Sequence, residues 1–205
     1  MEEGKGQIRR GNELLILAAA ERVFAGAGFS GATMAQIATE AGLPKANLHY
    51  YFGSKEALYR AVLAHILEDW LAPTHGIVPE ADPRTAIGDY IRSKMALSAT
   101  RPHASKVWAN EIIHGATVVR SLLETNLRSI VKAKAAVIDQ WIAEGRMAPV
   151  DSTHLLFTIW AATQTYADFD AQMCAVLGRK DLKPADHARA TEHVVSLVLR
   201  GCGLA

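Results

Sequence analysis

The stretch TMAQIATEAGLPKANLHYYFGSK, Thr33 to Lys55, decides how the chain reads. Thr33-Met-Ala-Gln36 has the form of a capping box, in which the Thr hydroxyl and the Gln side chain each satisfy an orphan amide of a helix's first turn. The helix it opens is expected to bury Met34, Ile37 and Ala41 and to end at Gly42, suited to a left-handed C-terminal cap. After Leu43, Pro44 supplies the backbone angle favoured at a helix start, and a short third helix follows from Lys45 to Tyr51. Two helices joined by a short Gly-containing turn form a helix-turn-helix, whose second helix fits a major groove. An ordinary helical corner has the same spacing, so the side chains must decide.

Lys45, Ala46 and Asn47 occupy the first turn of that third helix, where base edges are reached. Lys reads guanine edges and Asn adenine edges, while Ala admits close approach or meets a thymine methyl. Thr33 and Lys55 stand at the starts of two flanking helices, where amides, helix dipole and side chain can grip a phosphate together. Helical phase divides the aromatic run. Leu48 and Phe52 are assigned to the core, Tyr51 to a bridge to the second unit or to the fourth helix, and His49 and Tyr50 to the phosphate backbone.

Upstream, Leu17, Ala20, Phe24 and Ala27 mark an amphipathic first helix stopped by Gly26 to Gly28, preceded by a polar, mobile arm, MEEGKGQIRRGNE. Downstream, Ser54 caps a longer helix with Leu58, Val62 and Ile66 on one face, ending at Pro73. The polar stretch Thr74 to Pro83 is taken as the boundary of a second unit. Helices are then expected from Asp82-Pro83 through Ser98 and from Pro102 to Gly115. Another, patterned on Leu123, Leu127, Ile130, Lys134, Val137 and Trp141, ends at Gly145. Asp151 caps a helix reaching Gly178, and Pro184 opens a last one to Arg200. The sum is nine helices and no sheet, an all-α chain.

The charge balance is nearly neutral, 22 basic against 21 acidic residues, so no whole-chain basicity advertises nucleic acid. Between positions 41 and 60 it is locally basic, three against one. One such unit would bind DNA modestly and with strong salt dependence, and two copies would be needed. No unbroken apolar run reaches the ~18 residues of a membrane span, and the N-terminus lacks the order of a secretory signal. Cys174 and Cys202 fit a reducing cytoplasm, more as small buried hydrophobes than as a redox pair.

TMAQIATEAGLPKANLHYYFGSKEALYRAVL resembles the signature of TetR-type transcriptional regulators: Thr, a paired Ile-Ala, Ala-Gly, an aromatic run ending in Phe, then Ser-Lys-Glu-x-Leu. The resemblance covers residues 14 to 70 and implies a nine-helix fold. Its DNA-binding domain would span 1–55, linked through helix 54–72 to an effector-binding and dimerisation domain, 56–205. It further implies a homodimer on an operator with dyad symmetry, phosphate contacts from Thr33, Tyr50 and Lys55, and base contacts from Lys45, Ala46 and Asn47. Two positions depart from the family pattern. Pro44 stands where Ser is frequent, and His49 where Tyr is usual, which makes a phosphate contact there weaker or pH-dependent.

In that family the last helices form a four-helix bundle with their copies, here 151–177 and 184–200, although a monomeric bundle fits the same pattern. Trp160, Gln164 and Asp168 are spaced by four and so share a helix face, where a ring beside an amide suits a small planar ligand. On residue type alone a packed Trp with a partly exposed Gln is the stronger reading. DWLAP at 69–73 and WIAEGRMAPVDSTHLLFTIWAATQTYADFDAQ at 141–172 resemble the pyrimidine-utilisation subgroup, which implies uracil or thymine as effector and no cofactor. Trp70, Leu71 and Trp108 would form an apolar wall, with Glu111 beside them.

A regulator of unrelated metabolic or efflux genes with another hydrophobic effector is the alternative. An enzyme is the alternative from another class. Glu111-Ile-Ile-His114 has the Glu-x-x-His spacing of di-iron bundles, but no second copy occurs, and hydrolase, nucleotide-loop and Cys-x-x-Cys patterns are absent. A helical interaction module without DNA binding is a third possibility.

Overall fold

The computed structural model describes residues 2–204, with side chains from position 7 onward except that of residue 8. All regular structure among these residues is helical. Two compact units emerge: one of residues 1–67 and 106–120, the other of residues 68–105 and 121–205. The expected 55/56 boundary lies inside the first unit, and the polar stretch 74–83 lies inside the second.

In the first unit α1 spans Glu2–Gly31, α2 Met34–Ala41, α3 Lys45–Phe52, and α4 Lys55–Leu71 begins there. The expected mobile arm is helical from Glu2 onward, with Arg9 and Glu13 paired one turn apart; Met1 lies outside the described residues. Gly28 does break the helical path, at φ +69°, but as a kink rather than a stop. Ala20 and Phe24 are buried as expected, together with Ile16 and Ala19, while Leu17 is half-buried and Ala27 exposed. Arg9–Gly31 is long and apolar enough to cross a membrane by length and composition, a property that its interspersed charges hid from a search for unbroken apolar runs. Here its apolar side is a core face.

The second unit contains α5 (Pro83–Thr100), the start of α6 (Pro102–Ile113), a rod made of α7 (Arg120–Leu122), a π turn (Leu123–Leu127) and α8 (Arg128–Ala143), then α9 (Ser152–Asp168), α10 (Asp170–Leu177) and α11 (Pro184–Gly201). Its core is built on Tyr90, Ile87, Ile91, Ile138, Trp141, Ile159, Val194 and Val198. Stretch 74–83 looks polar yet is anchored. Ile77 is fully buried, and its carbonyl accepts from Lys134, while the Pro79 carbonyl accepts from Trp141 and Arg146 at 3.0 and 2.8 Å.

Of the two long helical patterns one holds and one breaks. The stripe read from Leu123 to Trp141 holds: Leu123, Leu127, Ile130, Lys134 and Val137 are half-buried and Trp141 is fully buried, with Ala135 and Ile138 joining it, although a π turn that sequence did not signal lies at Leu123–Leu127. The helix expected from Asp151 to Gly178 breaks at Phe169, where φ −119° and ψ 33° leave the helical region and the Asp170 carboxylate accepts the Ala171 N–H. Among the described residues ten helical rods therefore replace nine.

Candidate nucleic-acid interface and effector site

Residues 33 to 53 fold locally as their chemistry dictates. The Thr33 hydroxyl accepts the Gln36 N–H at 3.2 Å, and Gln36 Oε1 accepts the Thr33 N–H at 2.9 Å. Gly42, at φ +66°, caps α2 through N–H bonds back to its last turn, and Pro44 starts α3. Leu48 is fully buried and Phe52 half-buried. Opposite them, Lys45, Ala46, His49 and Tyr50 form an exposed face; Tyr50 is 75% exposed, and Asn47 sits half-buried at its edge. This is a short helix with one face anchored and one open.

Three side chains have partners that sequence did not foresee. Tyr51 bridges to α1, not to α4 or the second unit: its hydroxyl accepts from Asn12 Nδ2 at 3.1 Å. Lys55 Nζ donates to the carbonyls of Phe29 and Ala32 at 2.8 and 2.9 Å and lies over the Phe29 ring, so its ammonium caps the end of α1. His49 Nδ1 lies 2.8 Å from the Gly53 carbonyl, an acceptor only; the proton of that bond is on Nδ1, and Nε2 is the atom turned outward.

In the second unit a polar cluster surrounds a residue that sequence reasoning missed. Lys94 is 3% exposed, and its ammonium stands 4.1 Å from the Trp70 ring centroid. Desolvation pulls its pKa from 10.5 down to about 7, against the opposing pull of Asp168. Asp168 in turn accepts from the Ser105 hydroxyl. A lysine in the middle of α5, with Ile91 and Met95 beside it, reads as surface in a one-dimensional pattern; only its phase with Ile87 and Ile91 signals burial. Trp70, Leu71 and Asp168 thus belong to one unit with Lys94.

The remaining candidates separate. The Trp160 indole N–H donates to the Tyr90 hydroxyl at 2.6 Å, and its ring packs on Phe157. Both line a cavity of about 620 Å³ between α8 and α9, walled by Leu127, Val131 and Ala135 with Arg128 and Lys132 at the rim. Gln164 is half-buried. Trp108 and Glu111 fall in the first unit. There both Glu111 oxygens are engaged, accepting from the Tyr59 hydroxyl at 3.3 Å and the Val118 N–H at 2.7 Å. Burial and this carboxylate push the Tyr59 phenol well above its usual range, so it stays a neutral donor.

Among the described residues the first unit holds a helix-turn-helix whose second helix has one face anchored and one open, and the second unit holds a buried polar cluster. Residues 16–62 match the family model described as bacterial regulatory proteins, tetR family, and residues 63–205 match that of the YcdC-like protein, C-terminal region. The chain is 42% identical over 186 residues to the HTH-type transcriptional regulator RutR of Escherichia coli O157:H7, covering 91% of this chain and 88% of that protein. It is 31% identical over 132 residues to the HTH-type transcriptional repressor NicS of Pseudomonas putida, covering 64% and 61%. Among solved structures, the ketosteroid transcriptional regulator KstR2 of Mycobacterium tuberculosis superposes with a TM-score of 0.73 at 20% identity, covering 93% and 94%. AibR in complex with isovaleryl coenzyme A and operator DNA gives 0.67 at 18%, covering 91% and 97%. The chain belongs to the TetR family of bacterial transcriptional regulators.

Proposed function

We propose that this regulator is a cytoplasmic homodimeric repressor whose operator affinity is lowered by a pyrimidine base, uracil or thymine, held at the Lys94–Trp70–Asp168 cluster. The observation that carries this reading is the buried lysine. An ammonium withdrawn from water and given only a ring and a carboxylate is costly, and a ligand carbonyl that accepts from it offsets that cost. A pyrimidine-dione presents both halves of the match: carbonyl oxygens for Lys94, ring N–H groups for Asp168, and a flat face for Trp70. The similarity to RutR supports the subgroup.

On the DNA side, Lys45, Ala46 and Asn47 read base edges, and Thr33, His49, Tyr50 and the α4 N-terminus at Lys55 hold phosphates; the exposed face of α3 supports this. Lys55 acts there chiefly by fixing α1 against α4, since its ammonium is already engaged. Two copies would pair through α9 and α11 and place their third helices one helical turn apart, about 34 Å, on a dyad-symmetric operator. Effector binding would favour the dimer whose third helices miss that spacing. A coupling of about 1–3 kcal/mol changes affinity some 5- to 150-fold.

A second reading places a larger hydrophobic effector in the α8–α9 cavity, favoured by its apolar wall and its aromatic pair Phe157 and Trp160. Calorimetric titration separates the two. Under the first reading uracil gives saturable heat that Lys94→Met abolishes and Gln164→Ala weakens. Silence from both uracil and thymine at millimolar concentration, with heat from an apolar ligand lost in Trp160→Ala, would favour the second. Failure to shift the chain's own upstream DNA, with Lys45→Ala and Asn47→Ala as controls, would sink the operator assignment itself.

A further inference from the structure

We infer that α10 is an arm that seats in the α8–α9 groove of a second copy of this chain, which rests on the homodimer reading and leaves the pyrimidine site at Lys94 as it is. No residue of α10 is buried, and Phe169, Val176 and Leu177 are 54, 81 and 52% exposed. Val176 is the most exposed large apolar side chain among the described residues. A helix of 8 residues is well below the ~12–15 at which isolated helices become even marginal in water, so its apolar side needs a cover. A dimer also needs more area than α9 and α11 supply. Among the described residues Phe157 and Leu197 are the exposed large apolar side chains on those two helices. Together they offer roughly 200 Å² of apolar surface, against about 800 Å² per partner in a standard interface. The three side chains of the arm more than double that area, and each copy contributes both an arm and a groove.

The groove has the matching form. Leu127, Val131 and Ala135 of α8 and Phe157 and Trp160 of α9 wall about 620 Å³, an apolar trough of the kind that takes the apolar face of a short helix. Its rim carries Arg128 and Lys132 toward one end and Asp139 toward the other. The arm is flanked by opposite charges in the same order, Asp170 at its start and Lys180 just past its end, and both separations are about 15 Å at helical rise. The arm does not reach the groove of its own chain. That groove lies along the N-terminal half of α9, at Ser152, Phe157 and Trp160, whereas α10 leaves the C-terminal end of α9, about 16 Å beyond Phe157. A two-fold axis crossing α9 near its middle sets the two copies antiparallel and brings the C-terminal end of each beside the N-terminal half of the other. One symmetry operation then places both arms, and a seated arm closes the cavity to a larger effector.

Cross-linking of the full chain tests this, in a Cys174→Ser background in which the remaining Cys202 is buried. Chains carrying both Val176→Cys and Lys132→Cys, treated with a short bismaleimide, should give a covalent dimer, and chains carrying either substitution alone should give none. Independently, the paired substitution Val176→Asp with Leu177→Asp, at two exposed positions that the fold of one chain does not need, should raise the dimer dissociation constant about a hundredfold or more in sedimentation equilibrium. Ile113→Asp, 73% exposed in the first unit, should change it less than about twofold. A natural chain that is dimeric, yet gives no cross-link and keeps its dissociation constant in the paired variant, would overturn the arm while the homodimer stands. A covalent dimer from Val176→Cys alone would set α10 against its own copy and overturn the groove as its seat. A natural chain that stays monomeric at tens of micromolar would sink the homodimer reading itself, and the arm with it.

Discussion

Lys94 is a charged group held almost wholly out of water in the second unit. Its pKa is about 7 in the folded chain against 10.5 ordinarily, so between those values the unfolded chain binds the extra proton, and stability rises with pH across that window. Lys94→Met removes a buried charge for a side chain of similar volume. It should raise Tm at pH 7 by roughly 3–10 °C, from about 1–3 kcal/mol, and flatten the pH dependence between 7 and 10, read by calorimetric melting. A lower Tm would mean the ammonium is well paired as it stands. His49 poses the corresponding question at the DNA face. With Nδ1–H committed to the Gly53 carbonyl, Nε2 is the one ring nitrogen left to meet a phosphate. His49→Tyr, which puts a hydroxyl donor at that position, should raise operator affinity, read by fluorescence anisotropy at fixed salt and pH.

Among the elements, α2, α3 and their turn were legible because each boundary carries its own chemistry: a capping box, a positive-φ glycine, a proline at a helix start. Thr33→Val should cost about 1 kcal/mol of unfolding free energy and Gly42→Ala about 1–2, measured by urea denaturation, with operator binding weakened because both residues aim α3. What was not legible shares one physical cause. The π turn at Leu123–Leu127 has no residue that announces it, and the break at Phe169 depends on where two flanking carboxylates bond. Partners distant in sequence were equally hidden. Tyr51 with Asn12, Lys55 with Phe29 and Ala32, and Glu111 with Tyr59 are separated by 23 to 52 positions, so composition and spacing say nothing of them. Of the effector candidates, Trp70 and Asp168 share Lys94 as a neighbour, while Trp160 bonds to Tyr90 and lines the α8–α9 cavity.

For the whole molecule, a nearly neutral chain with one short basic stretch has little charge with which to hold DNA as a single copy, which is what the proposed homodimer would offset. Leu197 on α11 is 62% exposed and Phe157 on α9 45%, apolar surface of the kind a second copy would cover. Leu197→Glu should yield a folded monomer by light scattering and lower operator affinity by about two orders of magnitude or more, with a shallower salt dependence because half the phosphate contacts are lost. The most direct measurement is uracil added to the preformed protein–operator complex, followed by anisotropy in the natural chain and in Lys94→Met. The account predicts release of DNA from the natural chain and none from the variant, with equal operator affinity before addition. Release from both alike, or from neither with uracil and thymine at millimolar concentration, would contradict it.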